Sequence, residues 1–118
     1  MLKNNLYSRE AAVTEETFEQ NVNKLRSVLE VAPTLVVDVE TNGLDSFGTN
    51  QICGIGLGEP TLGGLTQYYP FRHHEGNNLP YDNLEKLIST LNELVQTYIG
   101  YNLKFDLHFL EKEGLSVL

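Results

Sequence analysis

The chain is short of cysteine and of positive charge. One cysteine, Cys53, stands in 118 residues. An internal disulfide is therefore impossible, and a cysteine-rich zinc site is excluded. Lys and Arg number 8 against 16 Asp and Glu, for a formal net charge of −8. That balance excludes a broad basic surface that holds nucleic acid by phosphate neutralisation alone. It leaves room for a small site in which metal ions bring the positive charge. Long apolar runs are missing as well. None approaches membrane-spanning length, and Met1 to Val13 lacks the apolar core of a signal peptide. The expected compartment is the cytoplasm, or a host's cytoplasm if the gene is phage-encoded, with no membrane partner.

What remains is an ordinary globular composition, 41% hydrophobic and 20% charged. The length fits a single domain, residues 1–118, with a core of its own. Residues 1–13 read as a loosely held polar arm. From Thr14 the pattern turns helical, with Phe18, Val22, Leu25 and Leu29 on one stripe, Thr14 as N-cap and Pro33 as the stop. Thr34 to Glu40 is β-branched and almost continuously apolar, which predicts a central strand covered on both faces. Asn42-Gly43 gives a turn. Gln51 to Leu57 reads as a second strand, with Gly54 and Gly56 on one face where something approaches closely. Leu65 to Phe71 reads as a third, with Pro70 placing its end at an edge or terminus. A polar loop, Arg72 to Pro80, precedes a helix over about Asp82 to Gln96, with Asp82 and Glu85 at capping-box spacing. A short strand, Tyr98 to Tyr101, and a helix from Leu103 to about Glu113, stopped by Gly114, complete the pattern. The order α, β, β, β, α, β, α predicts an α/β layer fold. Its sheet is mixed: a three-stranded antiparallel meander, then a fourth strand set parallel to the first by a helical crossover.

Asp38 and Glu40 are the informative pair. Positions i and i+2 of a strand share a face. Two carboxylates on one face of a buried strand are costly, and Val36, Val37 and Val39 offer no positive partner. Either the strand emerges into solvent at Asp38, or a divalent cation compensates both acids. Asp106 sits near the start of the last helix, just after the strand expected to lie parallel to the first. The C-terminal ends of such strands open into one crevice, so Asp106 is expected to meet Asp38 and Glu40 there. By itself Asp106 is equally a residue stabilised by the dipole of a first helical turn. Three converging carboxylates suit two divalent ions, Mg or Mn, roughly 4 Å apart, the arrangement that serves phosphodiester cleavage.

The string DVETNGLD, Asp38 to Asp45, resembles the first motif of the DEDD 3′–5′ exonucleases, and YNLKFDLHFL, Tyr101 to Leu110, resembles their second. Between them QICGIGLG and TQYYPFRHHEGNNLP are similar to the second and third strands of the proofreading domain of family A DNA polymerases, phage-type ones above all. The resemblance covers roughly residues 30–114. It implies a ribonuclease-H-like exonuclease fold with flanking helices, and hydrolysis at single-stranded DNA 3′ ends. It implies metal-ligand and catalytic roles for Asp38, Glu40 and Asp106. Thr41 would contact the 3′-terminal nucleotide, Leu44 would wedge against its base, and Asn102 would fix the turn into the last helix and touch the strand. Lys104 is either a phosphate contact or a solvated helix residue. Arg72 is a candidate phosphate contact, and Phe105 reads as core. His73 and His74 have neither helical metal-ligand spacing nor cysteine partners. His108 is expected to pack, and Cys53 to be a small buried hydrophobe.

The family pattern has a third motif, well beyond the second, that supplies a fourth carboxylate and a Tyr or His to orient water. None is seen before Leu118. The fold is thus expected to be truncated C-terminally, with low or absent activity in the isolated chain. A missing C-terminal segment, a polymerase domain or a second subunit would complete it. The alternative is a catalytically inactive exonuclease-like module that binds nucleic acid or a partner. An RNA-trimming enzyme of another ribonuclease-H-like branch is a more remote one.

Overall fold

The computed structural model describes residues 12–44, 48–62, 65–73 and 76–117. In chain order the elements are helix α1 (Phe18–Val31), strands β1 (Thr34–Thr41), β2 (Ile52–Glu59) and β3 (Leu65–Pro70), helix α2 (Tyr81–Leu94), strand β4 (Thr97–Ile99) and helix α3 (Leu103–Lys112). The sheet runs β3-β2-β1-β4. β1 with β2, and β2 with β3, are antiparallel. β4 lies parallel to β1, with Ile99 level with Val36. A parallel neighbour needs a long connection, and α2 supplies it. This is the mixed α/β sheet that the pattern predicts. Among the described residues no helix is long and apolar enough to cross a membrane.

β1 is central, but only one of its faces is sealed. Leu35, Val37 and Val39 are buried, whereas Val36, Asp38 and Glu40 are half-buried. The expectation of cover on both faces therefore holds for one. On the sealed face Val39 is level with Ile55 and Ile55 with Tyr69, while Val37 is level with Leu57 and Leu57 with Gln67. The α1 stripe Phe18, Val22, Leu25 and Leu29 is buried as predicted, with Phe18 edge-on to Tyr69 at 6.0 Å between ring centroids. Each such side chain contributes about 1.5–3 kcal/mol by leaving water. Gln67 is the polar exception in this layer. It is satisfied, donating from Nε2 to the Asn21 carbonyl at 2.7 Å and accepting the Tyr69 hydroxyl at 2.7 Å.

Several boundaries differ from the sequence pattern, each for a local reason. α1 starts at Phe18, because Thr14 caps a separate turn. The Thr14 N–H donates to Thr17 Oγ1 at 2.9 Å and the Thr17 N–H donates to Thr14 Oγ1 at 3.3 Å. Val13, at the end of the segment read as an arm, is buried, and its N–H donates to the Tyr68 carbonyl at 2.8 Å. Residues 1–11 of that segment lie outside the described residues. Asp82 forms no capping box. Pro80 occupies the N-cap of α2, which leaves Asp82 inside the first turn, where its charge meets the helix dipole. β4 ends at Ile99, before the expected Tyr101. α3 ends as expected, with Gly114 at φ +107°.

Candidate active site

Parallel neighbours open their C-terminal ends side by side. β1 carries Asp38 and Glu40 toward that end. β4 leads through Gly100 into α3, whose first turn holds Asp106 and which packs against β1. Gly100 shows how tight the junction is. A β-carbon there would stand 3.1 Å from the Val37 carbonyl oxygen, 3.2 Å from Leu103 Cδ1 and 3.5 Å from Asp106 Oδ2. The Asp106 carboxylate thus lies close to the peptide that leads into Asp38. Asp106 is only 5% exposed, and its N–H donates to the Asn102 carbonyl at 3.2 Å.

Glu40 belongs to a second constellation. Register places Asp38, Gly56 and Tyr68 in one row across the sheet, and Glu40, Gly54 and Pro70 in the next. All six side-chain positions share the half-open face. The Tyr68 ring leans along the strand over Gly54, where a β-carbon would stand 1.9 Å from its Oη. Its hydroxyl thereby donates to Glu40 Oε1. It also meets His73 Nε2 at 2.6 Å, with the two rings 5.8 Å apart. So what approaches the glycine face is the chain's own tyrosine. Sequence reading found the glycines and missed Tyr68. The signal was there in the tyrosine two places before Pro70, but it needed the register to be read.

Asp38, Glu40 and Asp106 offer only carboxylate oxygens, hard donors of the kind Mg²⁺ and Mn²⁺ take. In chemistry the three fit a hard cation. Among the described residues, however, no three His, Cys, Asp or Glu side chains stand together as a ready ligand cluster.

The other candidates divide. Thr41 is half-buried, its hydroxyl donating to the Gly43 carbonyl at 2.5 Å. Leu44 is 85% exposed just beyond β1. Lys104 is exposed on α3, and Asn102 holds its N-cap without a side-chain capping bond. Tyr101, which sequence reading gave no role of its own, is fully exposed just beyond β4. Phe105 packs on the core, 5.0 Å from Phe109 between centroids. Arg72 is engaged within the chain. Its Nη1 donates to the Ile52 carbonyl at 2.7 Å and pairs with Glu113 at 3.2 Å. His108 is half-buried. His74 and Asp45 lie outside the described residues. Cys53 is half-exposed rather than buried, because β2 carries an extra residue there: Thr41 is level with Ile52 and Glu40 with Gly54. Desolvation nevertheless pushes its thiol up from the ordinary value, with Arg72 opposing and Glu40 adding to the rise.

No family model matches the chain, and no curated protein does. Solved structures do. The chain is similar to S. pombe Pop2p in a form with Mg²⁺ and Mn²⁺ bound, with a TM-score of 0.65 and 20% identity over 86% of this chain. It is also similar to the EXO domain of Aedes aegypti Nibbler, with a TM-score of 0.61 and 11% identity over 91% of this chain. It spans 62% of the first and 46% of the second. The fold is thus the ribonuclease-H-like exonuclease fold.

Proposed function

We infer that the chain is a metal-dependent 3′–5′ exonuclease domain acting on single-stranded DNA ends, of the proofreading type. The observation that supports this best is the meeting of β1 and α3 at the open end of two parallel strands, with Asp106 beside the peptide that leads into Asp38. Asp38, Glu40 and Asp106 would hold the ions. Two divalent ions bound there would supply activation of the attacking water and charge neutralisation at the leaving oxygen. Leu44 and Tyr101, both exposed just past the ends of β1 and β4, suit contact with a terminal base and its neighbour, since a base face stacks on apolar and aromatic side chains alike. Thr41, Asn102 and Lys104 would position the strand. The preference for DNA rests on DVETNGLD, YNLKFDLHFL and the strand segments between them, while the solved neighbours support the nuclease fold.

The test is a Mn²⁺ titration joined to an end-labelled oligonucleotide assay with matched DNA and RNA substrates. Mn²⁺ uptake and slow release of mononucleotides from DNA 3′ ends are expected, with turnover cut at least about 100-fold by Asp38→Ala. Faster trimming of RNA would move the chain to another branch of the fold. Uptake of metal with no turnover on either substrate would mark a binding module.

A further inference from the structure

The contact between Glu40, Tyr68 and His73 has a direction that donor counting fixes. A carboxylate only accepts, and a phenol has one proton to give. Tyr68 gives it to Glu40 Oε1. The 2.6 Å approach of His73 Nε2 to the Tyr68 hydroxyl oxygen then requires Nε2 to carry a hydrogen and donate. His73 is itself pinned through both its N–H and its carbonyl. Its N–H donates to Asn78 Oδ1 at 2.9 Å, and Asn78 Nδ2 donates to its carbonyl at 2.9 Å. Tyr68 is 3% exposed, so this chain of donors works with little water to compete. Gly54 is the floor that lets the ring cross β2.

Such an arrangement exceeds what holding a loop requires. It spends the only proton of a buried phenol on one oxygen of a half-buried carboxylate and leaves Oε2 for another ligand. We propose that Tyr68 and His73 are positioning residues that orient Glu40 toward a divalent cation, an inference that rests on the exonuclease reading above. Groups that hold a metal ligand's outer oxygen fix its orientation, and their loss lowers affinity about 10–100-fold.

Three measurements on the full 118-residue chain test it. The first is ¹⁵N NMR of the His73 imidazole without metal, where protonation at Nε2 is expected and an Nδ1–H tautomer overturns the relay with no variant needed. The second is Mn²⁺ affinity by calorimetry or by the EPR signal of unbound Mn²⁺. Tyr68→Phe keeps the ring and should weaken binding about 10–100-fold. His73→Leu should do the same, and His73→Gln, which retains a side-chain N–H, should recover most of the loss. The third is Gly54→Ala, which touches neither acid nor metal but should displace the Tyr68 ring and match Tyr68→Phe. Wild-type Mn²⁺ affinity in a folded Tyr68→Phe chain overturns the proposal while the exonuclease reading stands. A wild-type chain that takes up no Mn²⁺ overturns that reading, and the positioning role falls with it.

Discussion

Tyr69 and Tyr98, on the two outer strands, both bury their hydroxyls. The Tyr69 hydroxyl donates to Gln67, whereas the Tyr98 hydroxyl is buried with no hydrogen-bond partner among the described residues. A buried polar group left unpaired costs about 1–3 kcal/mol. Tyr98→Phe should therefore raise stability by about 1 kcal/mol, and Tyr69→Phe should lower it by about 1–2 kcal/mol by orphaning Gln67. Urea midpoints at neutral pH read both changes. Burial pushes both phenols above their usual value of 10.0. The folded chain keeps them neutral while the unfolded chain ionises, so their contribution is full below about pH 10 and is lost as pH rises further. Tyr98→Phe should accordingly flatten the alkaline fall in midpoint, and an unchanged slope would count against the burial argument. At this scale the acids were legible and the tyrosine was not. Asp38 and Glu40 stand out because two charges in a valine run need a reason, and Asp106 because it follows a strand. Tyr68 reads in sequence as one more β-former, since its function depends on a diagonal reach over Gly54 that only the register creates.

Two glycines separate local backbone demands from the packing of elements. At Gly114 a β-carbon would meet nothing closer than Ile88 Cγ2 at 3.8 Å, but the φ of +107° suits glycine alone. At Gly100 no unusual φ is involved, and the obstacle is the crowded junction of β1, β4 and α3. Gly114→Ala should cost about 1 kcal/mol through backbone strain and leave Mn²⁺ affinity unchanged. Gly100→Ala should cost about 1–3 kcal/mol by pushing α3 from β1. It should also lower Mn²⁺ affinity measurably, because Asp106 travels with the helix. Denaturant titration and calorimetry on the two variants check both halves; equal Mn²⁺ affinities would show that the helix position does not govern the acid. The elements themselves were legible from period and punctuation. Their ends were less so: Thr14 has the chemistry of a cap and uses it on a turn, and the extra residue at Cys53 leaves no mark in an apolar run. That irregularity matters, since it turns Ile52 into the core while Cys53 stays half-exposed.

Over the whole molecule, acidity dictates how nucleic acid is met. A chain with a formal net charge of −8 gains little from displacing counterions around phosphates. Affinity for a single-stranded oligonucleotide should be undetectable in EDTA, appear with Mn²⁺, and then fall only shallowly with added salt. Fluorescence anisotropy across a salt series reads this, and tight binding in EDTA would contradict it. The topology was the most legible feature at this scale, because the helix before the fourth strand leaves few ways to close a mixed sheet. The link from Val13 to β3 was not, since a single backbone bond carries no sequence signature. Among the described residues β3 is the outermost strand on its side of the sheet, with Val13 bonded to its Tyr68 carbonyl. Val13 thus occupies a rung that a stranger's strand could otherwise take. A protease cut just before α1 should free that rung and let chains stack edge on edge, which sedimentation of the cut protein checks.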